Sequence, residues 1–356
     1  MVTSNNRSPL SRFLFWILIC IQALYVLTIF IQKPGMNHFE KAKVIDLIYG
    51  DAHKPFVYRV LLPSIIRTAS GILPRDTKAS TEDRVRRTSF VRNRFQAWNW
   101  EVAYALEYVL TFVLMYLSLV GFVIALRYLF LGLYKIPPLI IDLTCVAALG
   151  VLPAFFKYTS FLYDFPILFL FTLGLGLLAR KRWGAYILVF TLGCLNKETT
   201  VLLVLVYIIF FYPSAAAGQK IFFNLLVMQM LIFGVIKIGL FFLYLDNPGG
   251  LIIFHLIDHN LGLIKPYPPS FYLIWAALFL LLFYKWKEKP LFLKQALWIA
   301  VPLIVSCLFF GYLDELRDYY ELYPIVLLLM VHSAASSLRI PFSVLDKSRH
   351  EVRFLA

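Results

Sequence analysis

Three clusters of polar side chains carry the chemistry open to this sequence. In "LGCLNKETTVLLVL", Asn196, Lys197 and Glu198 interrupt two apolar runs. An ionisable group at membrane depth costs several kcal/mol unless paired or hydrated, so it is a functional candidate by default. Adjacent helical residues point about 100° apart, so Lys197 and Glu198 face different partners. In "IDLIYGDAHKPFVYRVLLP", Asp46, Asp51, His53, Tyr58 and Arg59 stand together, with Pro55 and Pro63 restraining the backbone. In "GYLDELRDYYELYP", Asp314, Glu315, Arg317, Asp318, Tyr320 and Glu321 crowd one short connection. On a helix, Asp314, Asp318 and Glu321 share a face and Arg317 pairs with Glu321, while Pro324 suits the first turn of the next helix. A carboxylate of this kind can act as a general base while lysine and arginine grip a phosphate. The plainer readings are a bundle-knitting ion pair, ordinary loop polarity and a solvated helix cap.

"HLIDHN" supplies His255, Asp258 and His259 at helical spacing, a weak divalent-metal candidate with no third ligand nearby. No cofactor is expected. Walker, GxGxxG-type nucleotide-binding and GxSxG patterns are absent from the sequence. The four cysteines, Cys20, Cys145, Cys194 and Cys307, lie far apart inside apolar runs and suggest neither a disulfide framework nor a metal knuckle.

These groups need a scaffold, and the composition names its medium. Of 356 residues, 61% are hydrophobic and 15% charged, and the mean hydropathy is +0.77. Soluble domains are about half apolar and a quarter charged, so an all-α multi-pass membrane protein is expected. The whole of 1–356 reads as a single transmembrane domain of about eight to ten spans, each needing about 20 apolar residues. The first span, 13–32, follows basic residues but no small-x-small cleavage site, and is expected to be retained. A long external loop with interfacial helices occupies 33–100, the remaining spans fall in 101–339, and 340–356 is a cytoplasmic tail. The net charge of +14 brackets hydrophobic spans, which fits anionic lipid and the positive-inside rule rather than nucleic acid.

Charge decides one ambiguity. Residues 184–212 are apolar except near Asn196–Thr200, and form one long helix or two half-length ones. A single helix would put Lys285, Lys287, Lys289 and Lys294 outside. A broken, re-entrant pair keeps them, "ARKR" and both termini cytoplasmic, and leaves "ELRD" outside with Lys197 and Glu198 at the vertex. Irregular backbone at that depth must border protein or a water-filled cavity. Against the rule, "RVRRTSFVRNR" sets five arginines in the external loop. An interfacial amphipathic helix in 56–73, with Val57, Val60, Leu61, Ile65 and Ile66 toward lipid, is the expected accommodation.

"KPFVYRVLLP", "NKETTVLL" and "ELRDYYELYP", with the early acid, the broken pair and the outward acid/arginine loop, resemble segments of small bacterial members of the GT-C class of integral-membrane glycosyltransferases. The architectural resemblance covers nearly the whole chain. It implies a GT-C-like helical bundle in the plasma (inner) membrane, transferring a sugar from a polyprenyl-phosphate donor to a lipid, glycan or protein acceptor on the non-cytoplasmic face. It places the catalytic acid early in the first external loop, at Asp51 or Asp46, with Asp51 favoured. Lys197 and Arg317 would clamp phosphate, Glu198 or Glu315 would orient, and His53, Tyr58, Arg59, Asn196, Asp314, Tyr320 and Glu321 complete the substrate-binding set. The rival readings are a transporter or flippase of a lipid-linked sugar and a polysaccharide polymerase or ligase.

Overall fold

The computed structural model describes residues 8–212 and 219–345. The expected cytoplasmic loop through 213–218 and the tail from 346 onward lie outside the described residues. The fold is helical apart from a two-residue antiparallel pairing of Tyr134–Lys135 with Ser343–Val344. Five segments are long and apolar enough to cross a membrane: Pro9–Lys33, Val102–Leu133, Pro138–Phe155, Gln219–Leu243 and Leu291–Phe310. Five shorter apolar helices accompany them: Asp164–Ala179, Trp183–Asn196, Glu198–Phe211, Pro269–Phe283 and Tyr323–Ser337.

The first long helix, α1 (Pro9–Phe30), starts at a Ser8 cap whose hydroxyl accepts from Ser11 N at 3.2 Å. The loop after it folds into α2 (Val44–Tyr49), α3 (Leu61–Ile72), α4 (Arg75–Arg87) and α5 (Ser89–Ala97). Asn37 closes this excursion, donating to Asn99 O at 2.9 Å and Tyr108 Oη at 3.0 Å and accepting from Val44 N at 3.0 Å. Lys78 pins α4, and Tyr49 the end of α2, to α6 (Ala105–Leu133), each 2.9 Å from the fully buried Glu107. The expected lipid face of α3 is corrected: Val57, Val60 and Ile66 pack into the protein core, Leu61 is half-buried, and Ile65 is the exposed member. The helix is amphipathic, but its apolar side finds α6 and the neighbouring loops, which bury it better than an interface would.

α7 (Pro138–Val151) is tied to α1 by Gln22 Nε2, 2.8 Å from Val146 O. α6 packs tightly on α8 (Asp164–Ala179): a Cβ on Gly176 would stand 2.7 Å from Tyr128, and one on Gly121 3.0 Å from Phe169. Small residues permit this close helix approach in an apolar medium.

α9 (Trp183–Asn196) stops at Lys197, whose φ of −157° and ψ of 144° are extended. A short 3-10 turn, Glu198–Val201, leads into α10 (Leu202–Phe211). Trp183, at the start of α9, packs on Tyr207 and Phe211 near the end of α10, with ring centroids 5.9 and 5.1 Å apart. The chain therefore reverses direction at the break.

α11 (Gln219–Leu243) buries few of its residues and α12 (Pro269–Phe283) none. The connection between them is a strap. Asn247 Nδ2 bonds Gly50 O at 2.7 Å and Ala52 O at 3.0 Å, and Lys54 N bonds Pro248 O at 2.8 Å. At Gly249, with φ +95°, a Cβ would lie 2.6 Å from Lys54 O, so glycine is needed for both conformation and space. At the far end Asn260 Nδ2 reaches Cys307 O, Leu308 O and Gly311 O at 2.8 to 3.0 Å, and its Oδ1 accepts from Leu313 N at 2.9 Å. These bonds hold the strap to the end of α14 (Ala300–Phe310), which follows the short α13 (Leu291–Ala296) and precedes α15 (Tyr323–Ser337).

Candidate functional site

The strap, the α9–α10 break, α11, α14 and the 311–321 loop surround one cavity of about 720 Å³, within the range of small-molecule sites. Its apolar lining includes Val201, Leu202, Phe233, Ile252, Leu303 and Phe310. Its polar lining includes Arg59, Lys197, Glu198, Glu315, Arg317 and Asp318, with Tyr158 and Tyr312. Such a space suits a ligand with an anionic head and an apolar body.

The two arginines are fixed in the same manner. Arg59 Nη2 lies 2.7 Å and Nε 3.4 Å from the Glu198 carboxylate, and its guanidinium stands 4.1 Å from the Tyr163 ring centroid. Arg317 Nε lies 2.5 Å from Glu315, Nη1 3.4 Å from Asp164, and its guanidinium 4.3 Å from the Phe161 ring. Phe161 and Tyr163 stack at 5.1 Å and 10°. Each guanidinium thus has a carboxylate partner and one ring of a stacked pair beside it, and both cations are set before a ligand arrives.

Lys197 pairs with the fully buried Glu321 at 3.5 Å, and Thr199 donates to the same carboxylate. As expected, Lys197 and Glu198 serve different partners: the extended residue at the break sends one side chain toward 321 and the next toward 59. Asp318 has no such partner. Among the described residues it is the cavity-lining carboxylate with neither hydrogen bond nor ion pair, yet it lies within electrostatic reach of Lys197 and Arg317.

The remaining expected residues are divided. Lys197, Glu198, Glu315, Arg317, Arg59 and Tyr58 line the cavity. Asn196 is buried behind it, donating to Tyr163 O at 3.0 Å, and Tyr320 is buried against Phe155 with centroids 5.5 Å apart. Asp51, Asp46 and His53 are not brought to the cavity wall. Asp51 is exposed just past α2, its N–H bonded to Asp46 O at 2.8 Å. Burial pushes the Asp46 carboxyl up from its ordinary value. His53 turns its N–H to Lys41 O at 2.9 Å.

Two helical expectations are corrected. The 312–321 loop contains a 3-10 turn, Leu316–Tyr319, not an α-helix. Asp314, Asp318 and Glu321 consequently diverge, and Arg317 takes Glu315 and Asp164 in place of Glu321. "HLIDHN" is likewise a turn: His255 lies 3.0 Å from Asp258, whereas His259 Nε2 lies 2.8 Å from Asp314. Among the described residues no three His, Cys, Asp or Glu side chains stand together as a metal site. Asp164, Tyr158 and Lys237 escaped the sequence reading. Asp164 carried the clearest signal, an acid directly preceding the apolar run "FPILFLF".

Asp314 latches the 311–321 loop to the strap, accepting from Lys157 and from Tyr158 Oη at 2.5 Å and facing His259. Burial favours its neutral form, but the bonds from Lys157, Tyr158 and His259 outweigh this and hold the carboxyl well below its usual value. A depressed carboxylate contributes stability above its unfolded value and loses it as pH falls through the folded one. The latch is therefore expected to survive at pH 5 and to open only below the ordinary carboxylate range, about pH 4. Limited proteolysis of the strap as a function of pH checks this; cleavage rising already above about pH 5, before the ordinary carboxylate range is reached, would contradict it.

Comparison of the chain with family models, with curated protein sequences and with solved structures finds no match to any of them.

Proposed function

We propose that the protein is a GT-C-type membrane glycosyltransferase of eight to ten spans, moving a sugar from a polyprenyl-phosphate carrier to a lipid, glycan or protein acceptor on the non-cytoplasmic face of the plasma (inner) membrane. The observation that carries this reading is the shared cavity, which is lined by fixed cations, an unpaired carboxylate and apolar side chains. In the step, Asp318 takes the acceptor hydroxyl proton as its oxygen bonds to the anomeric carbon. The bond from that carbon to the phosphate oxygen breaks, and the phosphate leaves with the electron pair beside Lys197 and Arg317. A phosphate is a good leaving group, so fixed positive charge is the main requirement. Asp51 and Asp46, away from the cavity wall, take no part in this step.

The test is transfer by purified protein in liposomes, with radiolabelled polyprenyl-phosphate sugars and extracted acceptor lipids. Covalent transfer supports the reading. Label that crosses the bilayer without transfer assigns a transporter or flippase instead.

Gly311 gives a sharper check. A Cβ there would lie 2.8 Å from Asp318 Oδ2, while the backbone is extended and accepts any residue. Gly311→Ala must displace the carboxylate without straining the chain. Transfer should fall about ten- to a hundredfold, the scale of an ångström-level misplacement, with thermal stability unchanged. Full activity would show that the position of Asp318 does not matter.

A further inference from the structure

Lys237 lies on α11 in the run "VIKIGLFFL" and lines the cavity. Its amine is buried and makes no hydrogen bond, and among the described residues no carboxylate forms an ion pair with it. Glu198 and Arg59 are its charged neighbours, and Glu198 is already held by Arg59 at 2.7 Å. The other enclosed cations of the site are matched: Arg59 by Glu198, Lys197 by Glu321, and Arg317 by Glu315 and Asp164. Lys41, the remaining lining cation, is exposed to water. An ammonium away from water without an ion-pair partner is strongly disfavoured, and Glu198, the carboxylate that eases it, is committed to Arg59.

We infer that Lys237 is the primary anion-binding residue of the cavity, and that a phosphate ester supplies the counter-charge the protein omits. The matched cations stabilise the charge that develops on the phosphate as the bond breaks, whereas Lys237 supplies the counter-charge that holds the bound ester. Phe233 lies one helical turn away on the same face, with its ring 5.9 Å from the amine, and Leu303 and Phe310 line the same cavity. An ester with an isoprenoid or acyl chain therefore fits better than free phosphate. The assignment of the ester to a lipid rests on the reading above; the anion site itself does not.

The experiment is titration of the full chain in neutral detergent with farnesyl phosphate, farnesol and inorganic phosphate, followed by thermophoresis. Farnesyl phosphate should bind the parent more tightly than farnesol. Lys237→Met should weaken the phosphate about tenfold or more, as loss of one charge-assisted contact does, and leave farnesol unchanged. Lys237→Arg should restore most of the affinity. Lys237→Met should also raise the apparent Tm of the ligand-free protein, because an unpaired amine is removed. Inorganic phosphate competing as well as farnesyl phosphate would assign the site to a soluble anion, and failure to compete would assign it to a lipid head. Undiminished farnesyl phosphate binding by Lys237→Met, or a lowered ligand-free Tm, would overturn the inference. These titrations need no sugar transfer, so loss of the enzymatic reading and loss of this one are separable.

Discussion

Asp318→Asn is expected to lower kcat for sugar transfer by about 10² to 10⁴, the usual contribution of a positioned general base, with KM little changed. The amide has the same shape but cannot take the acceptor proton. The prediction rests on Asp318 being the lining carboxylate without a partner, while Glu198 and Glu315 are each committed to an arginine. A base engaged in an ion pair would have to break it before accepting a proton. Steady-state kinetics in liposomes decide the matter: activity within about threefold of the parent would remove Asp318 from the chemical step, and Asp51→Asn would become the informative variant.

Arg317→Ala is expected to destabilise the fold by about 3 to 5 kcal/mol, because removing one member of a buried charge cluster strands the others. The Asp164 and Glu315 side chains retain 2% and 6% of their exposure, so little water can replace the guanidinium. Arg317→Lys should recover only part of the loss, since an ammonium can neither span two carboxylates as a planar fork nor stack on Phe161. Adding Asp164→Asn to Arg317→Ala should restore some stability by removing a stranded charge. Thermal unfolding in detergent measures all three. An Arg317→Ala protein melting within about 2 °C of the parent, well under the shift such a loss implies, would show that the cluster is hydrated.

Much of the scaffold was legible in the sequence because hydrocarbon solvent writes long runs, and charges mark their ends. The helix break at Lys197 followed from loop charges alone, and Trp183 packed on Phe211 records the return. The site was legible less evenly. Lys197, Glu198 and Arg317 stood out as charges among apolar residues. The assignment of side chains within the 312–321 loop failed because helical spacing was applied to a segment that makes a 3-10 turn. Lys237 was hidden by the opposite effect: one lysine deep within a 25-residue apolar helix barely changes its pattern, and its significance depends on groups distant in sequence.

The order of residues at the break has an electrostatic meaning. Peptide dipoles leave the C-terminal end of a helix partly negative and the N-terminal end partly positive. Lys197 follows directly on the C-terminal end of α9, and Glu198 opens the turn that leads into α10. Each charge therefore sits at the helix end of opposite sign, and both backbones help to retain ions in a poorly polarisable medium. Glutamate before lysine would have the same composition and net charge, but both residues would oppose the local fields. The sequence Lys-Glu thus gives the vertex a polarity, with cation and anion held apart by the two helices that meet there.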